Sequence, residues 1–175
     1  MTLTGTEHFY AAFRQAVEDV AQQGPVLDFG TDFKFRKELA PFRKLLTDSG
    51  YYAVGFHFRR QGELRPDIDA DFQHLPLRTG SVGGAVAIEV FEHLPEPWRA
   101  ADELHRVLKS GASAMVTVPF ITNYHGLTST GGYGDYFRYT EDGLRSIFAK
   151  FDRVDIIPLG GKLHRFSRRH RSSVF

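Results

Sequence analysis

The spacing of apolar residues switches between helical and strand-like patterns along most of the chain. A helical spacing over residues 7–23 predicts an opening amphipathic helix that Gly24 and Pro25 end. The same spacing predicts a helix over residues 96–109 and a last helix that Thr140 caps and that runs to Lys150. Short apolar and β-branched runs predict strands over residues 26–29, 51–58, 67–71, 84–90, 114–118 and 153–159.

Strands and helices that alternate at this spacing form βαβ units. We therefore expect an α/β fold with a mostly parallel sheet, helices on both faces and residues 26–29 in a central strand. Ligands of such sheets bind beyond the carboxyl ends of the strands. The candidate polar and glycine residues at these ends are Asp28, Gly30, His57, Asp71 and Glu89.

A long loop, rich in glycine, polar and aromatic residues, is predicted over residues 120–139. Loops longer than about 12–15 residues in compact domains are usually functional or disordered. We expect this loop to close over a substrate, because its four glycines permit hinge motion. These glycines are Gly126, Gly131, Gly132 and Gly134.

Length and composition fit one globular domain. Of the 175 residues, 42% are hydrophobic and 25% are charged, so we expect a single domain over residues 1–161. No apolar run reaches the ~18 residues of a spanning helix and no secretory signal is visible, which favours a soluble, cytoplasmic protein without membrane contact. The chain has no cysteine, so any metal ion would have to bind through histidine and carboxylate side chains.

The C-terminal segment, residues 162–175, is predicted to be a separate basic tail. It carries five basic residues and no acidic one: Lys162, Arg165, Arg168, Arg169 and Arg171. Such a tail can contact a partner protein or a second copy of the chain, or it can be a solvated terminus. Nucleic-acid binding is the weaker alternative because it rests on this tail alone.

Six segments in a fixed order resemble the class I S-adenosylmethionine-dependent methyltransferases, most closely a small bacterial methyltransferase-domain group. The resemblance covers residues 25–161 and implies a Rossmann-like three-layer sandwich with S-adenosylmethionine as cofactor. Because the chain ends soon after the sixth predicted strand, we expect part of the last helix and the antiparallel seventh strand to be missing. The segments are VLDFG at 26–30, DFQHLP at 71–76, EVFEHL at 89–94, ELHRVLKSG at 103–111, Pro119-Phe120 with His125, and DYFRYT at 135–140.

The resemblance also implies which residues contact the cofactor. Gly30 would let the backbone approach its methionine part, since a side chain there would collide with it. Asp71 would accept a hydrogen bond from the adenine amino group, and Phe72 would cover the adenine face; a turn formed by Asp71 is the alternative. The full implied set is Asp28, Gly30, His57, Asp71, Phe72 and Glu89.

Three departures from the family pattern cluster around this cofactor. Asp32 stands where a second glycine is expected, and its carboxylate would repel that of the cofactor by ~1–4 kcal/mol at 4 Å. His57 stands where an acid would accept both ribose hydroxyls. Val82 and Gly83 replace a Phe-Asp pair. We therefore expect S-adenosylmethionine binding to be weak or lost.

The candidate catalytic residues lie in the long loop: His125, Asp135 and Arg138. His125 can take a proton from a methyl acceptor, or it can order the loop by binding Asp135 or a backbone carbonyl. Arg138 can hold an anionic acceptor, or it can pair with Asp135. The Glu92-His93 pair is either part of a site or a helix cap.

The function that these observations favour is methyl transfer from S-adenosylmethionine to a small-molecule or saccharide-type acceptor. The alternative is a catalytically inactive methyltransferase-like protein that acts as a partner or regulatory subunit, because fold alone does not fix function. A nicotinamide-dependent enzyme is disfavoured, since no Gly-x-Gly-x-x-Gly follows the first strand.

Overall fold

The structure is a computed structural model that describes residues 5–30, 38–55, 66–128, 132–159, 164–165 and 173–174. Its helices are α1 (Gly5–Val20), α2 (Arg43–Asp48), α3 (Pro97–Val107) and α4 (Glu141–Ile147). Its strands are β1 (Val26–Phe29), β2 (Tyr51–Gly55), β3 (Ile68–Asp69), β4 (Val82–Ile88), β5 (Leu108–Thr117), β6 (Arg153–Val154), β7 (Pro158–Leu159), β8 (His164–Arg165) and β9 (Ser173–Val174). None of the described helices is long and apolar enough to cross a membrane.

Seven of the strands form one sheet in the order β3-β2-β1-β4-β5-β9-β6. Every pairing in this sheet is parallel. Val26 lies opposite Tyr51 on one side and Gly84 on the other, so β1 is central. The predicted α/β fold with a mostly parallel sheet is confirmed.

Alternate residues of the central strands pack into two cores on opposite faces of the sheet. Leu27 and Phe29 of β1 belong to the core that contains buried residues of α3 and α4. Val26 belongs to the other core, with α1 and α2 residues such as Val17 and Leu46. Helices therefore cover both faces, which is the three-layer arrangement expected from the sequence.

The edge of the sheet beyond β5 is formed by β9 and β6, and among the described residues it contains no antiparallel strand. The two residues of β9 lie between β5 and β6 and pair in parallel with both. The predicted sixth strand over residues 153–159 is wrong as one element. It is split into β6 and β7. β7 pairs antiparallel with β8 in a separate two-stranded sheet. It begins at Pro158, which has no N–H to donate to a neighbouring strand.

The predicted tail supplies β8 and β9, which are the parts of residues 162–175 that the structure describes. The other tail residues lie outside the described ranges. The division into a domain and a tail, and contact of the tail with a partner protein or a second copy, stay predictions.

Gly83 and Gly84 of β4 let the end of α1 approach the sheet closely. A β-carbon at Gly84 would overlap the Val20 carbonyl oxygen, and one at Gly83 would overlap the Gly24 carbonyl oxygen. Both glycines also donate their N–H groups to the Pro25 carbonyl, at 2.8 Å and 3.2 Å. The departure from the family's Phe-Asp pair at this position therefore has a packing reason.

Candidate functional site

The carboxyl ends of the parallel strands form the edge at which three predicted site residues lie. Gly30 follows β1 with a φ of +73° and donates its N–H to Val54 O at 2.9 Å, next to the end of β2. Asp71 follows β3, and Glu89 directly follows β4. Two other residues of the cofactor argument, Asp32 and His57, lie outside the described residues.

Asp28 lies inside β1 and not at the carboxyl edge of the sheet. Its side chain is fully buried within β1. The Tyr51 hydroxyl, at the start of β2, donates a hydrogen bond to Asp28 Oδ2. The structure therefore shows Asp28 in a buried contact between two strands, and its contact with the cofactor stays a prediction.

Asp71 forms the turn that the sequence allowed as an alternative. Its Oδ1 accepts the backbone N–H of Gln73 at 2.9 Å, and its Oδ2 lies 3.4 Å from His74 Nδ1. Burial alone would raise the pKa of Asp71, but these hydrogen bonds outweigh it and hold the pKa below its ordinary value. Asp71 is thus a partly exposed carboxylate held in a fixed direction.

Phe72 is buried in the core beside Phe29. The two rings meet edge to face with centroids 5.0 Å apart. They line a small apolar cavity together with Leu75 and Phe91. The Phe72 ring is buried below the carboxyl edge of the sheet and does not face solvent. Its predicted contact with adenine stays untested.

Glu89 connects the ends of β4 and β5. Its backbone has a φ of +52°, unusual for a residue with a side chain. Its N–H donates to Thr117 O and to Thr117 Oγ1, each at 3.1 Å, and the Thr117 hydroxyl donates to Glu89 Oε1 at 3.0 Å. These bonds hold an acidic side chain at the sheet edge.

The long loop is irregular in its described parts, as predicted, and its second half is bound to the turn at Phe91–His93. Tyr136 N–H donates to Glu92 O at 2.7 Å, and the Tyr139 hydroxyl donates to Phe91 O at 2.6 Å. His93 Nδ1 lies 2.6 Å from Gly134 O. Residues 132–139 are therefore fixed against the segment that follows β4.

Asp135 and Arg138 pair within the loop, as one of the two sequence interpretations proposed. Arg138 donates to both carboxylate oxygens of Asp135, and this interaction holds the pKa of Asp135 well below its usual range. Arg138 also donates to the carbonyl oxygens of Asn123 and Phe137. Its guanidinium is occupied by the loop itself in this conformation.

His125 is brought next to the Phe91–His93 turn. Its N–H donates to Asp135 Oδ2 at 2.9 Å, and its Nδ1 lies 3.1 Å from Asn123 O. Its Nε2 lies 3.7 Å from Glu92 Oε1, and its ring meets the His93 ring edge to face at 4.9 Å. His125 is 38% exposed, so solvent reaches this side of the group.

Glu92 is a residue for which the sequence allowed two interpretations, a site residue or part of a helix cap. Its side chain is fully buried, and neither carboxylate oxygen has a hydrogen-bond partner among the described residues. Burial raises its pKa to about 8, and the negative charge of Glu89 adds to the rise. Burial also lowers the pKa of His93, which favours its neutral form. Glu92-His93 is not a helix cap, since α3 begins after Glu96.

Comparisons with known proteins bear on the family and the fold. Residues 44–116 match a family model described as a methyltransferase domain. An uncharacterized methyltransferase of Mycobacterium sp. strain KMS is 38% identical over 79 residues, which are 42% of this chain and 31% of that protein. The chain thus spans about a third of the length of this relative.

Solved structures with the same fold cover nearly the whole chain. A SAM-dependent methyltransferase from Aquifex aeolicus is 14% identical, with 97% of this chain and 98% of that chain covered and a TM-score of 0.53. One from Methanosarcina mazei is 15% identical, with 91% and 97% covered and a TM-score of 0.54. The predicted resemblance to the class I S-adenosylmethionine-dependent methyltransferases is confirmed.

The methyltransferase resemblance rests in part on residues 103–111. Two side chains of this segment stabilise the fold. Arg106 donates to Glu103 Oε1 at 2.7 Å and to the carbonyl oxygens of Leu75 and Leu77. Glu103 Oε2 in turn accepts the Leu75 N–H at 2.7 Å. The pair joins α3 to the segment that follows Asp71, so it holds the turn after Asp71 in place.

Proposed function

We propose that this chain binds S-adenosylmethionine at the carboxyl edge of its sheet and transfers the methyl group to a small-molecule or saccharide-type acceptor. The observation that carries the proposal is that, on a fold shared with methyltransferases, the buried Glu92 lies near the charge of Glu89 at the strand ends and 3.7 Å from His125. Such an edge is where ligands of open α/β sheets bind. The inactive alternative draws no support from the methyltransferase relatives.

The cofactor side of the proposed site is formed by Gly30, Asp71 and Glu89. Gly30 has no side chain that would hinder approach of the backbone to the cofactor, and Asp71 Oδ2 can accept a hydrogen bond from the adenine amino group. Asp28, Phe72 and His57 remain proposed contacts. We propose weak affinity, because Asp32 and His57 replace a glycine and an acid.

The acceptor side is formed by His125, with Asp135 and Arg138 as positioning residues. Asp135 accepts the backbone N–H of His125 and is itself held by Arg138, so the pair fixes the backbone that carries the imidazole. Tyr124 and Tyr136 on the same loop are largely exposed. Aromatic faces with a hydroxyl group suit a ring-shaped polar acceptor such as a saccharide.

The transfer itself is a single displacement. A lone pair of the acceptor attacks the methyl carbon in line, the carbon–sulfur bond breaks, and its electron pair stays on sulfur to give S-adenosylhomocysteine. The acceptor gives up a proton, which passes to a base such as His125 or to water. Positioning supplies much of the rate in such a reaction, which is what the ordered loop provides.

Calorimetry with S-adenosylhomocysteine tests the cofactor half of the proposal. We expect the full chain to bind it with a dissociation constant above the low micromolar range, and Asp71→Asn to weaken binding about tenfold through the lost charged hydrogen bond. Asp48→Asn, an exposed carboxylate on α2, is the matched control and should not change binding. Absence of binding at millimolar concentration would overturn the proposal.

Transfer of a labelled methyl group to an acceptor tests the catalytic half of the proposal. Methyl-labelled S-adenosylmethionine is added to fractionated extract of the source cells, and label is followed into the small-molecule and saccharide fractions. His125→Ala should lower transfer by ~10²-fold or more, and Asp48→Asn should not. Binding of S-adenosylhomocysteine without label in any fraction would support the inactive alternative instead.

A further inference from the structure

Glu92, His93 and His125, here called the Glu–His–His cluster, bring three ligand atoms to one point. One ligand atom from each residue lies within 4.8 Å of the others. Glu92 Oε1 is 3.7 Å from His93 Nε2 and 3.7 Å from His125 Nε2. These distances are too long for hydrogen bonds, so the three groups face one another without bonding directly.

Backbone carbonyls orient both imidazole rings of the cluster. His93 Nδ1 lies 2.6 Å from Gly134 O, and His125 Nδ1 lies 3.1 Å from Asn123 O. A carbonyl oxygen only accepts, so each Nδ1 carries a proton, and in the neutral form of each ring the lone pair is on Nε2. Histidines that bind metal ions are held in this way by a bond from the second nitrogen.

The carboxylate of Glu92 needs a positive partner. It is fully buried, with no hydrogen bond to either oxygen from the described residues. A buried carboxylate in this state is costly unless a cation or proton compensates it. When both rings are neutral, their Nε2 lone pairs face this carboxylate, so the three groups together form a set of electron-pair donors.

We propose that Glu92, His93 and His125 bind one divalent transition-metal ion, with Zn²⁺ as the best-suited example. Two imidazole nitrogens and a carboxylate oxygen are ligands typical of zinc and related ions, whereas Mg²⁺ and Ca²⁺ prefer oxygen alone. Ligand atoms about 2.1 Å from a tetrahedral ion lie about 3.4 Å apart. The two distances of 3.7 Å from Glu92 Oε1 exceed this value by a few tenths of an ångström, and metal binding would bring the two imidazole nitrogens, which lie within 4.8 Å of each other, to the same separation.

His125 is 38% exposed, so we expect the remaining coordination position of the ion to face solvent on this side. Three protein ligands with an open position are the arrangement of catalytic rather than structural zinc sites. The ion would bind the acceptor oxygen there and lower the pKa of its hydroxyl, so that the proton passes to water before the oxygen attacks the methyl carbon. This role rests on the proposed function, and it makes His125 a metal ligand and not a base.

Metal titration of the purified, untagged full chain tests the inference. The protein is treated with chelator, and Zn²⁺ is added in a calorimeter, with Co²⁺ absorption as a second readout of the ligand set. We expect one ion per chain, bound with a micromolar or lower dissociation constant, and much weaker binding of Mg²⁺. Neither S-adenosylmethionine nor an acceptor is present, so this test and that of the proposed function fail independently.

Variants identify the ligands. Glu92→Gln and His125→Gln should each weaken Zn²⁺ binding ~100-fold or more, while His74→Gln, an exposed histidine outside the cluster, should leave it unchanged. Glu92→Gln is nearly isosteric, so its circular dichroism should match that of the unmodified chain. The inference is overturned if Zn²⁺ does not bind stoichiometrically, or if the cluster variants bind it as tightly as His74→Gln.

Discussion

Arg138 contacts Asp135 end-on, through its two terminal nitrogens, with hydrogen bonds of 2.5 Å and 2.8 Å. Paired bonds of this kind are stronger and more directional than single ones. The carboxylate is only 1% exposed, and it also accepts the N–H of His125. Three points of the loop are therefore tied together by one buried acid.

Replacement of this acid should destabilise the whole domain. In Asp135→Asn the charge is lost and Arg138 is left without its buried partner, so we expect the free energy of unfolding to fall by about 3 kcal/mol. Urea unfolding followed by circular dichroism measures this change.

An exposed ion pair provides the control for Asp135→Asn. Lys44 and Asp48 lie 2.5 Å apart on α2, with 89% and 60% of their side chains exposed. Lys44→Gln should therefore change stability by less than about 0.5 kcal/mol. Equal effects of the two substitutions would show that the Asp135–Arg138 pair is no stronger than a surface pair.

The fold could be predicted from the sequence because its signals are local. Short apolar runs mark strands buried on both faces, and Thr140 marks a helix start: its Oγ1 accepts the Gly143 N–H at 3.1 Å. The end of α3 could not be predicted from residues 96–109. Lys109 leaves the helix and donates to the Gln23 and Gly24 carbonyls, which lie far away in the chain.

The site was predicted less completely, because its chemistry depends on burial. Nothing near Glu92 in the sequence shows that residues 132–139 will cover it, although an acid and a histidine within the apolar run of residues 90–94 are a usable signal. The turn formed by Asp71 was foreseen only as an alternative, since an Asp beside a turn serves folding and binding equally well.

The close approach of α1 to β4 predicts that Gly84 tolerates no side chain. In Gly84→Ala the new methyl group overlaps the Val20 carbonyl oxygen, so the helix end must move away from the sheet. We expect a loss of about 3 kcal/mol or more in the free energy of unfolding, or failure to fold. Urea unfolding and the soluble yield measure the two outcomes.

The Gly80→Ala variant measures the cost of backbone strain alone, because its new methyl group would not be crowded. Gly80 has a φ of +64°, and no atom lies within 4 Å of the position that a β-carbon would take. The expected cost is therefore that of the left-handed backbone alone, about 1 kcal/mol. If Gly84→Ala were no more destabilising than Gly80→Ala, the packing explanation of the two glycines in β4 would be wrong.

The ion pair of Glu103 and Arg106 predicts how the free energy of unfolding depends on pH. Hydrogen bonds from the Arg106 guanidinium and the Leu75 N–H hold the pKa of Glu103 below its ordinary value of 4.5, although burial opposes them. Because the folded pKa is lower than the unfolded one, the stabilisation is present above the ordinary value. It is lost as the pH falls through the folded pKa.

Glu103→Gln should therefore lower stability at neutral pH and make little difference in acid. Because both side chains are partly exposed, we expect a loss of about 1–2 kcal/mol at pH 7, with the gap to the unmodified chain closing as the pH falls below the ordinary pKa of 4.5. Glu96→Gln, from the exposed Glu96–Arg99 pair beside the same helix, should cost less than about 0.5 kcal/mol throughout. Urea unfolding at a series of pH values measures both variants. A gap for Glu103→Gln that stays constant into acid would show that the lost packing and hydrogen bonds, and not the charge, connect α3 to the turn after Asp71.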